Sequence, residues 1–99
     1  MVSEIFEGED LIAKFQLGEI ILSKGVRESV GEVDQMLTLN RHAQGDWGCV
    51  SEEDARANDN AFFTSERIFS VYRTAEGVEF WVITEANRQY TNMLLPFEY

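Results

Sequence analysis

Cysteine, proline and histidine occur once each in the 99 residues of this chain. A lone cysteine closes no intrachain disulfide, and with a lone histidine it cannot supply the four Cys or His ligands of a structural zinc site. Long apolar runs are missing too. The stretch Phe80-Trp81-Val82-Ile83 falls far short of the roughly 20 residues that span a bilayer, so no membrane association is expected. Nothing at the N-terminus combines a basic start, an apolar run and a small-residue cleavage site. With a single cysteine, that points to a reducing cytoplasm. Positive charge is scarce: 8 Lys and Arg stand against 18 Asp and Glu, a net charge of −10. That balance repels phosphate backbones, so direct nucleic-acid binding is disfavoured. The sequence has no Gly-rich phosphate loop, no Gly-x-Ser-x-Gly elbow and no Asp-x-Asp-x-Asp-Gly calcium loop. Neither a cofactor nor a metal is expected.

What is present suffices for a folded domain. Hydrophobic residues make up 44% and aromatics 12%, and a chain of this length fits one core, so residues 1–99 are read as a single domain. Residues 1–14 mix acids with Ile5, Phe6, Leu11 and Ile12 and read as an irregular start. Phe15 to Leu22 alternates as a strand, closed by a turn at Lys24-Gly25. Val26, Val30, Val33 and Leu37 recur at helical spacing, predicting one amphipathic helix over 26–40 with Gly31 as a close packing point. Gly45 and Gly48 punctuate the loop that follows. Ser51-Glu52-Glu53-Asp54 has the composition of a helix start, with Ser51 as N-cap and acids in the first turn, giving a helix over about 52–63. Residues 67–73 and 78–84 form a hairpin through 74–77. Glu85 to Arg88 is a turn, and Tyr90 to Leu95 is a final strand stopped by Pro96. The sum is an α+β fold: an antiparallel sheet of three to five strands with about two helices packed on one face.

The residues that could carry chemistry gather around Asn40 to Cys49. His42 with Glu85 as proton-transfer pair, and Arg67 and Arg88 to hold developing charge, are the parts of a metal-free phosphodiesterase or other small hydrolase. Arg41, Asp46 and Tyr72 complete that constellation. A structural reading of the same side chains is preferred: His42 caps the first helix, Asp46 bonds loop amides, and Arg67 and Arg88 pair with Glu85 and Asp54. Trp47 is read as the plug beneath its own loop and Cys49 as a small buried hydrophobe.

The pattern Arg41-His42-x-x-Gly45-Asp46-Trp47-Gly48, then Asp54 and Asn58, then Arg67-Ile68-x-Ser70-x-Tyr72, continues as Trp81-x-Ile83-Thr84-Glu85-x-x-Arg88-x-x-Thr91 and closes with Leu94-Leu95-Pro96-x-Glu98-Tyr99. It resembles a group of small bacterial plasmid- and prophage-associated proteins that carry labels such as plasmid-related protein or type I restriction subunit M. A methyltransferase subunit needs a Gly-rich cofactor loop and an Asn-Pro-Pro-Tyr/Phe motif, and this chain has neither. Asn87 and Asn92 stand where the group's pattern has an acid and a threonine. What the resemblance implies is mobile-element context. The leading expectation is a non-catalytic domain that binds an as yet unknown protein partner or forms a homodimer. Its contact surface would be the 41–48 loop and the polar side of the hairpin, with Arg41, His42, Asp46, Trp47, Asp54, Asn58 and Tyr72 as binding residues. The hydrolase comes second, and a nucleic-acid-mimicking inhibitor, drawing on the acidic surface, third.

Overall fold

The computed structural model describes residues 13–99. The irregular start expected over 1–14 therefore lies, but for its last residues, outside the described part. In chain order the elements are β1 (Glu19–Leu22), α1 (Lys24–Ser29), α2 (Glu32–Ala43), α3 (Glu52–Thr64), β2 (Ile68–Arg73), β3 (Glu79–Thr84), β4 (Tyr90–Leu94) and a closing 3-10 turn, Pro96–Glu98. The strands form one four-stranded sheet in the order β1-β4-β3-β2. The fold is α+β, as read from the sequence.

The sheet is mixed. β2, β3 and β4 pair antiparallel, but β1 runs parallel to β4, with Glu19 opposite Tyr90 and Leu22 opposite Met93. Parallel neighbours need a crossover rather than a hairpin, and nearly the whole chain between residues 22 and 90 is that crossover.

The helix expected over 26–40 is two helices. Val30 takes extended angles (φ −120°, ψ 120°) and Gly31 becomes the N-cap of α2. Gly31 is thus a break and not a packing point. The side chain of Gln35 donates to the Val30 carbonyl at 2.8 Å, satisfying an acceptor that the break releases. Lys24 and Gly25, read as a turn, instead open α1, whose N-cap Ser23 accepts from the Val26 amide at 3.0 Å. The break resets the helical phase. Val26 and Val30 are buried, whereas Val33 and Leu37 are 70% and 57% exposed and α2 turns Thr38, His42 and Ala43 inward. α3 matches its prediction, with Ser51 Oγ accepting from the Asp54 amide at 3.0 Å.

Strand register divides the sheet into two faces. Ile68, Ser70 and Tyr72 share the inner face with Phe80, Val82, Thr84, Thr91 and Met93. There Val26 and Val30 of α1 close a cluster with Tyr72, Phe80, Val82, Met93 and Leu95. A second cluster joins Trp47, Ala61 of α3 and Ile68. The outer face carries Phe69, Trp81, Ile83, Asn92 and Leu94. The polar side of the hairpin expected from the sequence is therefore misassigned: Ser70 points into the core, and the outer face is aromatic and aliphatic.

The outer edge of β2 is covered. The Asn58 amide accepts from the Phe69 N–H at 3.0 Å and donates to the Phe69 carbonyl at 2.7 Å. Two residues on, Val71 donates to the Trp47 carbonyl at 3.1 Å and accepts from the Cys49 N–H at 2.7 Å. An asparagine side chain and a piece of loop stand in for a fifth strand, which blunts an edge open to pairing.

Candidate functional site

The segment 41–48 is built by its glycines. Gly45 (φ 86°) leaves α2 in the left-handed region, and Gly48 (φ 75°) lies against β2 so closely that a Cβ there would overlap the Val71 carbonyl oxygen. Across this turn Arg41 of α2 and Asp46 form a bidentate pair at 2.8 and 3.2 Å, and Asp46 also accepts from the Gly48 amide at 3.2 Å. The Arg41 hydrogen bond holds the Asp46 carboxyl below its ordinary range, and Asp46 in turn raises Arg41. The Arg41 guanidinium lies 4.9 Å from the centroid of the Tyr72 ring. The Tyr72 hydroxyl, pushed up by burial, donates to the Asp46 carbonyl at 2.6 Å. Trp47 is 6% exposed and donates its indole N–H to Asp59 at 3.1 Å. It is the plug beneath the loop, as expected. Cys49, expected to be buried, is exposed, because its place in the loop is fixed by its backbone bond to Val71 and not by its side chain.

His42 is not a helix cap. It lies in the last turn of α2, fully buried, with Nδ1 2.6 Å from Ser70 Oγ and Nε2 2.9 Å from Thr84 Oγ1. Thr84 Oγ1 is 2.7 Å from Thr91 Oγ1, which donates to the Leu17 carbonyl at 2.6 Å. A carbonyl only accepts, so the direction of the chain is set from that end: Thr91 donates to Leu17, Thr84 to Thr91, and the His42 Nε2–H to Thr84. In the neutral ring that burial favours, Nδ1 is then the acceptor for the Ser70 hydroxyl. Burial, followed by the charge of Arg88, lowers the ring's pKa to about 3. A ring with both nitrogens engaged inside the core has no proton to exchange with a substrate.

Of the other hydrolase candidates, Arg88 is near enough for its charge to reach the ring, but its donors are taken, and Glu85 and Arg67 do not join it. Arg88, at φ 61°, donates from Nη1 to the carbonyls of Glu66, Glu85 and Ala86 and from Nη2 to that of Ala61. It caps the end of α3 from a distant turn and is lowered by burial. Glu85 and Arg67 belong to the outer side of the sheet, opposite His42. The Glu85 carboxylate lies 3.5 Å from the Asn92 amide, and Arg67 donates to the Tyr99 hydroxyl with its guanidinium 5.4 Å from that ring's centroid. The expected pairing of Arg67 and Arg88 with Glu85 and Asp54 is therefore not made. Backbone carbonyls and an aromatic ring take those guanidinium groups instead.

Two open concavities lie on the outer face. One cleft of about 370 Å³ has Phe69, Trp81, Ile83 and Tyr99 as floor and wall, with Asp54, Ala57 and Asn58 of α3 and Arg67 along its rim. A second, about 250 Å³, lies on the other side of Tyr99 among Ile21, Ile83, Asn92 and Leu94, with Glu85 at its margin. Trp81 bridges the aromatic set, 5.1 Å from Phe69 and 5.5 Å from Tyr99, both edge to face. Sequence reasoning placed Asp54, Asn58 and Arg67 among the candidates but missed Trp81 and Tyr99 as their neighbours. The signal was the alternation of β3, which puts Trp81 and Ile83 together on the face opposite Val82. Among the described residues no three His, Cys, Asp or Glu gather as a metal site, and no helix is long and apolar enough to cross a membrane. Compared with family models, curated proteins and solved structures, the chain matches none.

Proposed function

We propose that this chain is a non-catalytic protein-binding domain whose contact surface is the outer face of the sheet. One observation carries the reading: Phe69, Trp81 and Tyr99 meet edge to face there along an open cleft, while Ile21, Tyr90 and Tyr99 remain 41%, 41% and 67% exposed. Exposed apolar patches of this kind mark interaction sites. Aromatic side chains and arginine are enriched at the energetic centres of interfaces, and burying apolar surface is favourable by roughly 25 cal/mol per Å². The 41–48 loop, the surface favoured on sequence grounds, is spoken for internally by Tyr72, Asp59 and the Arg41–Asp46 pair. Mobile-element context, which the family resemblance implies, agrees with a small acidic protein that acts by occupying another protein.

The test is affinity capture at low salt with the wild type beside a Tyr90→Ser/Tyr99→Ser variant, both exposed positions of that face. At least one protein should be recovered by the wild type and depleted about tenfold or more by the variant. Identical recoveries from the two, or recovery of nothing by either, defeats the proposal.

A further inference from the structure

We infer that the outer face takes a basic segment, one that offers apolar side chains to the two clefts and Lys or Arg beside them. The inference rests on the reading of that face as a protein-binding surface and adds the chemistry of what it binds. Two clefts share Tyr99 and Ile83 as their common wall, and each has an acid at its margin: Asp54 in the larger, Glu85 in the smaller. Neither carboxylate is in a salt bridge among the described residues, where the ion pairs are Arg41–Asp46 and Arg73–Glu79. Glu19 lies on the same face at the β1 edge, opposite Tyr90. Arg67, the one cation at the cleft among the described residues, is already drawn onto the Tyr99 ring. In extended chain alternate side chains face the same way, so the apolar residues of an alternating segment enter the floors together, and the long stems of the intervening Lys or Arg let their heads curl back to the rim carboxylates. A cation beside Trp81 and Tyr99 also gains from their ring faces.

Charge decides between occupants. A second copy would bring its own −10 to the contact, and residues 1–12, with Glu4, Glu7, Glu9 and Asp10 and no Lys or Arg, carry the same sign. A basic partner is attracted where both of these are repelled, and its encounter is steered by the whole field.

The probe is a blocked octapeptide of alternating leucine and lysine, with its leucine–glutamate counterpart as control, titrated into the intact protein and followed by amide and indole chemical shifts. The lysine peptide should saturate, shifting the Trp81 indole and residues of β3 and β4 but not Trp47, and should weaken with salt. The Asp54→Asn/Glu85→Gln variant should bind it about fivefold or more weakly, while Glu28→Gln/Glu32→Gln, which removes the same charge from the helical side, should not. Shifts scattered over the acidic surface, equal loss in both variants, or preference for the glutamate peptide overturns the inference, as does concentration-dependent dimerisation that buries this face. Those outcomes are separable from the capture experiment, since a captured protein that is lost on Tyr99→Ser but contacts the face through acidic or neutral residues leaves the protein-binding reading intact and removes only the basic segment.

Discussion

The imidazole Nε2 of His42 stands 2.9 Å from Thr84 Oγ1, and this one bond joins the last turn of α2 to the middle of the sheet. Because the hydroxyl chain ends on the Leu17 carbonyl, Nε2 must carry a proton, and because burial keeps the ring neutral, Nδ1 carries none. Nitrogen chemical shifts should report that single tautomer throughout the range from pH 5 to 8.

Acid should act through the same ring. Its folded pKa is about 3 against an ordinary 6.5, so above about pH 6.5 neither folded nor unfolded chain is protonated there and stability is at its full value. Below that, the unfolded chain takes up a proton that the folded one refuses. Stability should fall with falling pH by up to about 1.4 kcal/mol per pH unit, until the folded ring itself titrates. Urea denaturation between pH 6.5 and 5, above the range where most carboxylates change, isolates the effect. His42→Gln should be less stable at neutral pH but should show a flatter dependence over that interval. An unchanged slope would contradict the assignment.

Thr84→Val keeps the shape and removes the link. Left without its acceptor, the buried His42 N–H goes unpaired, a loss of about 1–3 kcal/mol. Chemical denaturation should read that cost while binding at the outer face stays as in wild type, since Thr84 points the other way.

Gly48→Ala tests the docking of the central loop. The added Cβ would overlap the Val71 carbonyl oxygen and come within 2.8 Å of the Tyr72 ring, on a residue at φ +75°. Strain of that sort costs on the order of 1–3 kcal/mol before the clash is added. We expect a loss of at least about 3 kcal/mol in denaturation, placing the variant in the long tail of destabilising substitutions.

Asn58→Ala separates stability from association. It strips the Phe69 N–H and C=O of their partner, with an expected loss of about 1–3 kcal/mol. It also uncovers part of the β2 edge, so sedimentation should detect self-association in the variant at concentrations where the wild type stays unchanged. Asn58→Asp keeps the acceptor for the amide but sets a buried carboxylate oxygen against the Phe69 carbonyl, and should be at least as costly as Ala at neutral pH.

Local chemistry made much of this fold legible. Ser51 with three acids behind it predicted α3 and its cap, and the β-branched and aromatic runs either side of 74–77 predicted the β2–β3 hairpin. The break at Gly31 was hidden because Val26, Val30, Val33 and Leu37 fit one helical stripe. Only packing decides that the first two enter the core and the last two do not. The parallel placement of β1 was equally hidden, since a strand's partner is chosen by residues far away. At the site, Trp47 as plug was readable from its flanking glycines. The separation of His42 from Glu85 and Arg67 was not, because residue type says nothing about which face of a sheet a side chain takes, and strand parity becomes useful only once the inward side is known.

The pairing of β1 with β4 has a kinetic corollary. Glu19 meets Tyr90 across some seventy intervening positions, and contacts so remote in sequence are slow to form because a large loop must close before they return any stabilisation. During synthesis β1 must wait, unzipped, until β4 has emerged. Until Thr91 has been made its hydroxyl cannot clasp Leu17, and β3 meanwhile presents to intruders the edge that β4 will cover.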